Sequence, residues 1–554
     1  MVGIHKSSSF IEVNDIAYFE IDLRLYLNLM MPSKFIRYRS LIPVVDQESI
    51  KDSYCWNAFL EEILVKLDRC GDVNSRCPAY VVPVEYFYQA PFAEYMKYID
   101  TSVKIEVALY GDYGYNSKSM KLYWFARVMK VAGYRLLLRY EGMDEIGDNA
   151  YDFWVNIGSE DIRPIGYCAE KTETRALVPP EVIHKRQSNW RKYILCQIHT
   201  YRTIAINWPK IQVGKLSIRK FKKGDHVELL DSIVTLRVRP ACVEKVIGTR
   251  IHVRVSHMFL DRSTVDDNDS QITEGVWMDQ DSPLIFPVGW ALKVGYKLDA
   301  NDDYINHAKE ISVALKLESD KNPYEKRDTK PSTFKTNIEA EAEEDNIKWE
   351  KGMKLEVLDP LGTWKELRVS TVIEVMNNGF LKIGFDGEKA EDDSVPLHST
   401  SELLFPVGYA EKYGIKLKGP KNTGFFDWTA YLRQSNAIAA PEELFNKFND
   451  DVLSNFKIGA KLEAADMCEP YLICPATIAG HHGRLLRIEY DGWGSSFNQL
   501  FDYRSANIFP LGWCEMHGYK LEAPKIPKIS RISHVPKKKR KKECKDNFET
   551  ANSG

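Results

Sequence analysis

The sequence predicts a mostly β protein with helical arms, assembled from four tandem units that are each a small β-barrel with an arm. Three observations predict it. A phrase ending in Pro-x-Gly-aromatic occurs four times, as Ile162–Tyr167, Ile285–Trp290, Leu404–Tyr409 and Ile508–Trp513. Each copy is preceded by a short alternating phrase, x-Lys/His-aliphatic-Glu-aliphatic, at Val103–Val107, Asp225–Leu229, Met353–Val357 and Ala460–Ala464. Between the two phrases lies a strand-like run: Arg135–Tyr140, Ile251–Val255, Leu381–Phe385 and Leu485–Tyr490. Three of these runs alternate apolar with polar residues, as half-buried strands do, and Glu141-Gly142, Asp386-Gly387 and Asp491-Gly492 supply turns. Short strands with close turns indicate a small barrel, and a period of roughly 105–130 residues suits one small domain per repeat.

An arm precedes each barrel. In the fourth unit Pro441-Glu442-Glu443 has the composition of a helix start, with Leu444, Phe445 and Phe448 on one face. Trp56, Trp190 and Trp428 hold comparable arm positions and are expected to be core anchors. Segment Lys321–Asn346, with Pro323, Pro331, Glu339, Glu341, Glu343, Glu344 and Asp345, reads as an exposed arm or loop of the third unit. Residues 1–53 match no repeat.

Bulk composition sets limits. The chain has 554 residues, 44% of them hydrophobic and 12% aromatic, which is the make-up of folded domains rather than long disorder. No run of 18 or more apolar residues occurs, since Glu20, Asp22 and Arg24 interrupt the nearest approach, Ile16–Met31; no membrane contact or secretory signal is expected. The ten cysteines form no C-x-x-C pair and read as free thiols of a reducing compartment. His481-His482, beside Gly480 and Gly483, fits a turn better than a metal site, so neither metal nor cofactor is expected. There is no Gly-rich phosphate loop, no G-x-S-x-G and no H-E-x-x-H, and the chain is not expected to be an enzyme.

Charge is unevenly placed. From Lys525 onward ten basic residues face three acids, so the tail carries about +7 and the remaining body about −10, within a net charge of −3. Such a body repels nucleic-acid phosphates and attracts basic partners. Within the tail, Lys537, Lys538, Lys539, Arg540, Lys541 and Lys542 resemble a nuclear import signal, which places the protein in the nucleus. The same cluster is suited to non-specific nucleic-acid contact.

Unit four carries the most specific pattern: Gly459–Asp466, Pro470–Thr477, Tyr490-Asp491-Gly492-Trp493 and Pro510–Cys514. This pattern resembles the malignant brain tumour (MBT) repeat, and the resemblance extends over roughly residues 54–524, weakest in unit two. It implies a five-stranded Tudor-like barrel with an extended arm packed on a neighbouring repeat. The implied layout is an N-terminal extension at 1–53, repeats at 54–174, 175–300, 301–420 and 421–524, and a basic tail at 525–554. It also implies the reading of mono- or dimethylated lysine on histone tails, usually in transcriptional repression.

A methylated lysine is a soft, poorly hydrated cation. Aromatic faces attract it, each by about 0.5–2 kcal/mol. A carboxylate accepts from any N–H left on it, which favours the lower methylation states without excluding trimethyl-lysine. By the resemblance, Asp466 is the cage acid and Tyr490, Trp493 and Phe497 are the cage aromatics. The Asp491-Gly492 turn lets successive rings converge where a straight strand would send them to opposite faces. Glu469 stands at a candidate pocket rim where relatives often carry Asn; it either strengthens the preference for cations or points to solvent. Unit three keeps Asp359 and Phe385 but has Glu388 at the Trp position. Unit one keeps Tyr140, with Met143 and Leu109 at the Trp and acid positions. Unit two keeps Asp231 without the ring pattern, and Trp154 and Trp277 look structural. One competent pocket, in unit four, is therefore expected. The alternative is a corepressor scaffold that docks proteins through its repeats and has a vestigial pocket.

Overall fold

The computed structural model describes residues 11–13, 16–18, 52–70, 77, 80–109, 121–143, 152–170, 175–180, 202–261, 269–316, 322–334, 348–387, 392–420, 426–447 and 450–525, with a few isolated positions between 183 and 196. Four antiparallel sheets dominate it. In unit four the strands are Lys461–Ala465, Ile473–His482, Leu485–Tyr490, Gln499–Asp502 and Ile508–Phe509, paired in the order fourth–third–second–first–fifth. The other three sheets repeat that order, starting from first strands Lys104–Leu109, His226–Leu230 and Lys354–Val357. Both recurring strand phrases of the sequence thus fall on strands, the first and the third of each sheet. In units one to three a short sixth strand pairs parallel with the second; in unit four this shrinks to one bridge, Ile473 with Leu521.

Every second strand slips register at one point: Val128/Lys130, Val243/Lys245, Val372/Glu374 and Ile478/Gly480. A bulge bends its strand and raises the local twist, so each sheet curls. Among the described residues each sheet is an open, curled ladder, a half-barrel without a closing row of hydrogen bonds.

The two recurring phrases meet in space. The glutamate of the first strand phrase is fully buried in all four units (Glu106, Glu228, Glu356, Glu463). Its two oxygens accept the backbone N–H groups of the Gly and of the residue two further on, at 2.7–2.9 Å: Gly166 and Cys168, Gly289 and Ala291, Gly408 and Ala410, Gly512 and Cys514. In units two to four the glycine caps a short helix at φ of 85–89°, the left-handed region that disfavours a side chain. The glutamate thus neutralises orphan donors at that helix start.

Arms lie on the preceding unit rather than their own. Isolated parallel bridges join Arg202 to Val103, Asp328 to His226 and Ala439 to Lys354, while Val81 of the first arm pairs with Lys461 of unit four. The arm tryptophans behave as anchors: Trp428 donates its indole N–H to Glu356 (2.7 Å) and Trp56 to Glu463 (2.9 Å), both buried. Trp190 falls outside the described residues. In the third arm Tyr304, also buried, stands two residues into a helix at Asp302–Lys316.

Hairpin tips tie the units into a closed arrangement. The tip of unit four packs on unit three, where Arg484 N–H donates to the Tyr409 hydroxyl (2.8 Å) and His482 Nδ1 meets Tyr413 O (2.7 Å). Unit three sets Phe380 on Trp290 of unit two at 5.0 Å. Arg250 of unit two reaches Asn507 of unit four (2.7 Å), and Trp277 packs edge-on against Tyr519 at 5.5 Å. Unit one docks on unit four through Asn156 to Gly512 O (2.9 Å) and Arg135 to Glu515 (3.2 Å). Accordingly Trp277 is an inter-unit contact, while Trp154 is half-buried against the core of unit one.

Two expectations change. The helix expected from Pro441 is a single 3-10 turn at Glu442–Leu444, after which Phe445 is extended and buried; the arm must run straight to reach its neighbour, and burial of Phe445 outweighs the local helix signal. The arm's α-helix is Trp428–Ser435, capped by Asp427, whose carboxylate accepts from Thr429 and Ala430 N–H. Of Lys321–Asn346, residues 322–334 lie on unit two with Thr329 and Pro331 buried, while Glu339 to Asp345 lie outside the described residues.

Candidate functional site

Asp466 follows the first strand of unit four directly, and Tyr490 ends the third. The Asp491-Gly492 turn, with Gly492 at φ 78°, is closed by Trp493 N–H to Tyr490 O (3.0 Å). A 3-10 turn at Ser495–Phe497 then sets the Phe497 ring 5.1 Å from that of Trp493, at 65°. Trp493 is partly buried and Phe497 is 46% exposed, so the two rings form adjoining walls open to solvent. The turn is held from below: Asp491 accepts from Lys461 Nζ (2.7 Å) and from the Thr477 hydroxyl (2.6 Å).

Tyr490 is 3% exposed and its hydroxyl is shared between Ala465 O (2.7 Å) and Gln499 Oε1 (2.6 Å). Burial pushes its pKa well above the ordinary tyrosine value, so the hydroxyl stays protonated. Gln499 also donates from Nε2 to Asp466 Oδ1 (2.8 Å), and Cys468 N–H donates to the same oxygen (2.9 Å). Among the described residues no protein group bonds Asp466 Oδ2. Glu469 is exposed and accepts from the Tyr471 hydroxyl at 2.6 Å.

Two lysines of the chain itself already use these rings. Lys525 Nζ lies 3.4 Å from the centroid of Trp493, and Lys365 Nζ, on a loop of unit three, 5.7 Å from that of Phe497. That loop borders the site: Leu500 N–H donates to Trp364 O at 2.7 Å. Lys537 to Lys542, expected to form an import signal, lie outside the described residues.

Strand register gives the equivalent positions elsewhere. Opposite the residue that follows each buried glutamate stand Trp124, Arg239, Arg368 and Cys474 in units one to four. In unit three Arg368 donates to Asp359 Oδ2 (2.7 Å), pairs with Asp393 and lies 3.9 Å over the Phe385 ring. In unit two Asp231 Oδ2 pairs with Arg237 (2.8 Å) and Arg239 (3.4 Å), and Arg239 continues to Asp269. Trp124 fills the position in unit one, fully buried, its indole donating to Glu141 O (3.0 Å). Cys474 is short and makes no such bridge to Asp466.

Sequence reasoning missed Cys474, Gln499 and Lys525. Of these, Gln499 had a readable signal. Gln499 pairs with Ile488, and the residues in its place are Phe153, Val276 and Val395, all apolar. A glutamine there departs from the strand pattern of its three sister units. Lys525 carried no signal, because contact with Trp493 depends on how the chain folds back.

Comparison with known proteins agrees with this architecture. The mbt repeat profile matches residues 114–184, 225–305, 353–424 and 460–528. The chain belongs to the MBT-repeat family, and to its four-repeat form. It is 32% identical over 542 residues to Protein lin-61 of Caenorhabditis elegans, covering 94% of this chain and 82% of that one. It is 35% identical over 448 residues to human MBT domain-containing protein 1, covering 80% of this chain and 64% of that one. The chain thus spans somewhat under two thirds of the latter relative. A solved structure of the four MBT repeats of Drosophila melanogaster Sfmbt, in complex with a peptide RHR(me)KVLR, superposes with a TM-score of 0.70 at 30% identity, covering 85% of this chain and 99% of that one.

Proposed function

We propose that the protein is a nuclear, chromatin-associated reader whose fourth repeat binds mono- or dimethylated lysine on histone tails in transcriptional repression. One observation carries this reading. Asp466 Oδ2 has no protein partner among the described residues, whereas the equivalent oxygens of Asp231 and Asp359 are taken by the chain's own arginines. Trp493 and Phe497, on the turn that follows Tyr490, offer adjoining ring faces to a soft cation, and Gln499 links the Tyr490 hydroxyl to Asp466. The methylated peptide bound by the Sfmbt repeats, and the acidic body that suits a basic histone tail, support the same ligand.

The test is titration of the full chain with unmodified, mono-, di- and trimethylated histone peptides. Micromolar or weaker binding to methylated peptides is expected, since one small socket makes few contacts. Trp493→Ala abolishes it without unfolding the chain; a variant that binds like wild type overturns the reading.

Units one to three favour a second role. Their sockets hold Trp124, Arg239 and Arg368, which suits them to scaffolding, with corepressor proteins as partners. A pull-down that survives Trp493→Ala tests this. The basic tail serves import and any nucleic-acid contact, so deleting residues 525–554 removes both.

A further inference from the structure

Gln499 is 2% exposed, yet its amide uses both ends. Oε1 accepts from the Tyr490 hydroxyl (2.6 Å) and from Met467 N–H (2.9 Å), while Nε2 donates to Asp466 Oδ1 (2.8 Å). Only this assignment of the amide satisfies all three partners, because Met467 N–H needs an acceptor and Asp466 needs a donor. A buried polar group in a strand is tolerated when each of its atoms is bonded, and it then fixes its neighbours. Units one to three have Phe153, Val276 and Val395 at this register position, so nothing about the sheet itself calls for an amide.

The consequence lies in the carboxylate. Among the described residues, the two donors to Asp466, the Gln499 amide and Cys468 N–H, fall on Oδ1. Two bonds to one oxygen fix the plane of the group and leave Oδ2 as the remaining acceptor. Units two and three fix their acids differently: Ile233 and Val234 N–H hold Asp231 Oδ1, Leu361 N–H holds Asp359 Oδ1, and arginine takes the second oxygen. In unit four the amide adds to the turn N–H what the arginine supplies elsewhere, without filling the socket.

We infer that Gln499 is a positioning residue that sets methylation-state selectivity, by holding Asp466 with Oδ2 presented to an alkylammonium N–H. The inference rests on the methyl-lysine reading of unit four. A mono- or dimethylammonium has an N–H for Oδ2 to accept; a trimethylammonium has none and is held by the ring faces and charge alone. Loss of the amide therefore weakens the first class selectively, which a merely structural role would not do.

The experiment compares wild type with Gln499→Met, which keeps side-chain length and removes both hydrogen-bonding ends, against di- and trimethyl-lysine peptides of one sequence. Gln499→Val, the residue found at this position in units two and three, is the second variant should Met disturb packing. Dimethyl affinity is expected to fall roughly tenfold, with trimethyl affinity within about twofold of wild type. If Trp493→Ala abolishes binding while the Gln499 variants keep the wild-type dimethyl-to-trimethyl ratio, the inference is overturned and the reader stands. If wild type binds no methylated peptide, both fall together.

Discussion

Arg368 reaches Asp359 within unit three, donating to its carboxylate at 2.7 Å while its guanidinium lies 3.9 Å over Phe385. An acid and a ring that could receive an outside cation are thus satisfied by a cation from the neighbouring strand. Unit two does the same with Arg237 and Arg239 on Asp231. Each of these arginines bridges two carboxylates and is largely shielded from water, and a peptide lysine displaces it poorly because the chain tethers it at high effective concentration. In unit four the strand position of Arg239 and Arg368 belongs to Cys474.

Cys474→Arg should therefore close the fourth socket from within. The strand position accommodates arginine in two sister units, so the variant is expected to fold, with its guanidinium on Asp466 Oδ2. Binding of methylated peptide should fall below detection, with the circular dichroism spectrum and melting midpoint close to wild type. A folded variant that still binds with wild-type affinity would show that Asp466 is not the ligand's partner.

Legibility from sequence followed the range of the interaction. The strands could be read because alternation and turn chemistry are local, and Glu463 and Gly512 could be flagged because each recurs in every unit. Their 2.7 Å bond could not, since it joins residues far apart in the chain. At Glu442 the structure has a single 3-10 turn where the local signal predicts a helix, because burial of Phe445 against the neighbouring unit overrides that signal. For the proposed site, the acid and the rings come from the family pattern alone. The occupant that distinguishes the units did not, because Trp124, Arg239, Arg368 and Cys474 align only once strand register is known.

Lys525 is expected to compete with ligand. Its ammonium sits 3.4 Å from the Trp493 ring centroid, and its backbone runs over Gly492, where a Cβ would meet Lys525 O. An exposed cation–π contact contributes about 0.5–1 kcal/mol, so Lys525→Ala should tighten methyl-lysine binding about two- to fivefold. Calorimetry on the full chain measures it. Unchanged or weaker affinity would mean that Lys525 and ligand use different faces of the ring.

Glu463 gathers three donors: Gly512 N–H, Cys514 N–H and the Trp56 indole. Burial raises its pKa, and hydrogen bonds from these groups oppose that shift. Glu463→Ala leaves all three donors buried without an acceptor, each costing about 1–3 kcal/mol. Loss of roughly 3 kcal/mol or more is expected in urea unfolding, with Trp56 fluorescence reporting release of the first arm. Glu463→Gln keeps one acceptor oxygen and should lose less. Equal stability of the alanine variant would remove the glutamate from any structural role.

Arm three should be held on unit two by a pH-sensitive clamp. His226 meets Asp328 at 3.2 Å and His307 meets the other oxygen of Asp328 at 2.7 Å; the Phe259 ring closes over His226 edge-on at 5.1 Å. Hydrogen bonds to Asp328 and then Cys242 push the His226 pKa up to about 9. Burial raises the pKa of Asp328, but bonds from His226 and His307 outweigh that and leave it below its ordinary value. A raised histidine pKa stabilises fully below the unfolded value near 6.5 and is lost as pH climbs through about 9; the lowered aspartate contributes above the ordinary carboxylate range and is lost only in acid. The clamp should therefore be tightest between roughly pH 4 and 6.5 and weaken steadily toward pH 9. Proton NMR titration of His226 should give a midpoint near 9, and Asp328→Asn should return it toward 6.5 while lowering the melting midpoint most at pH 6 and least at pH 9.5. A His226 midpoint unmoved by Asp328→Asn would break the link between this pair and the seating of the arm.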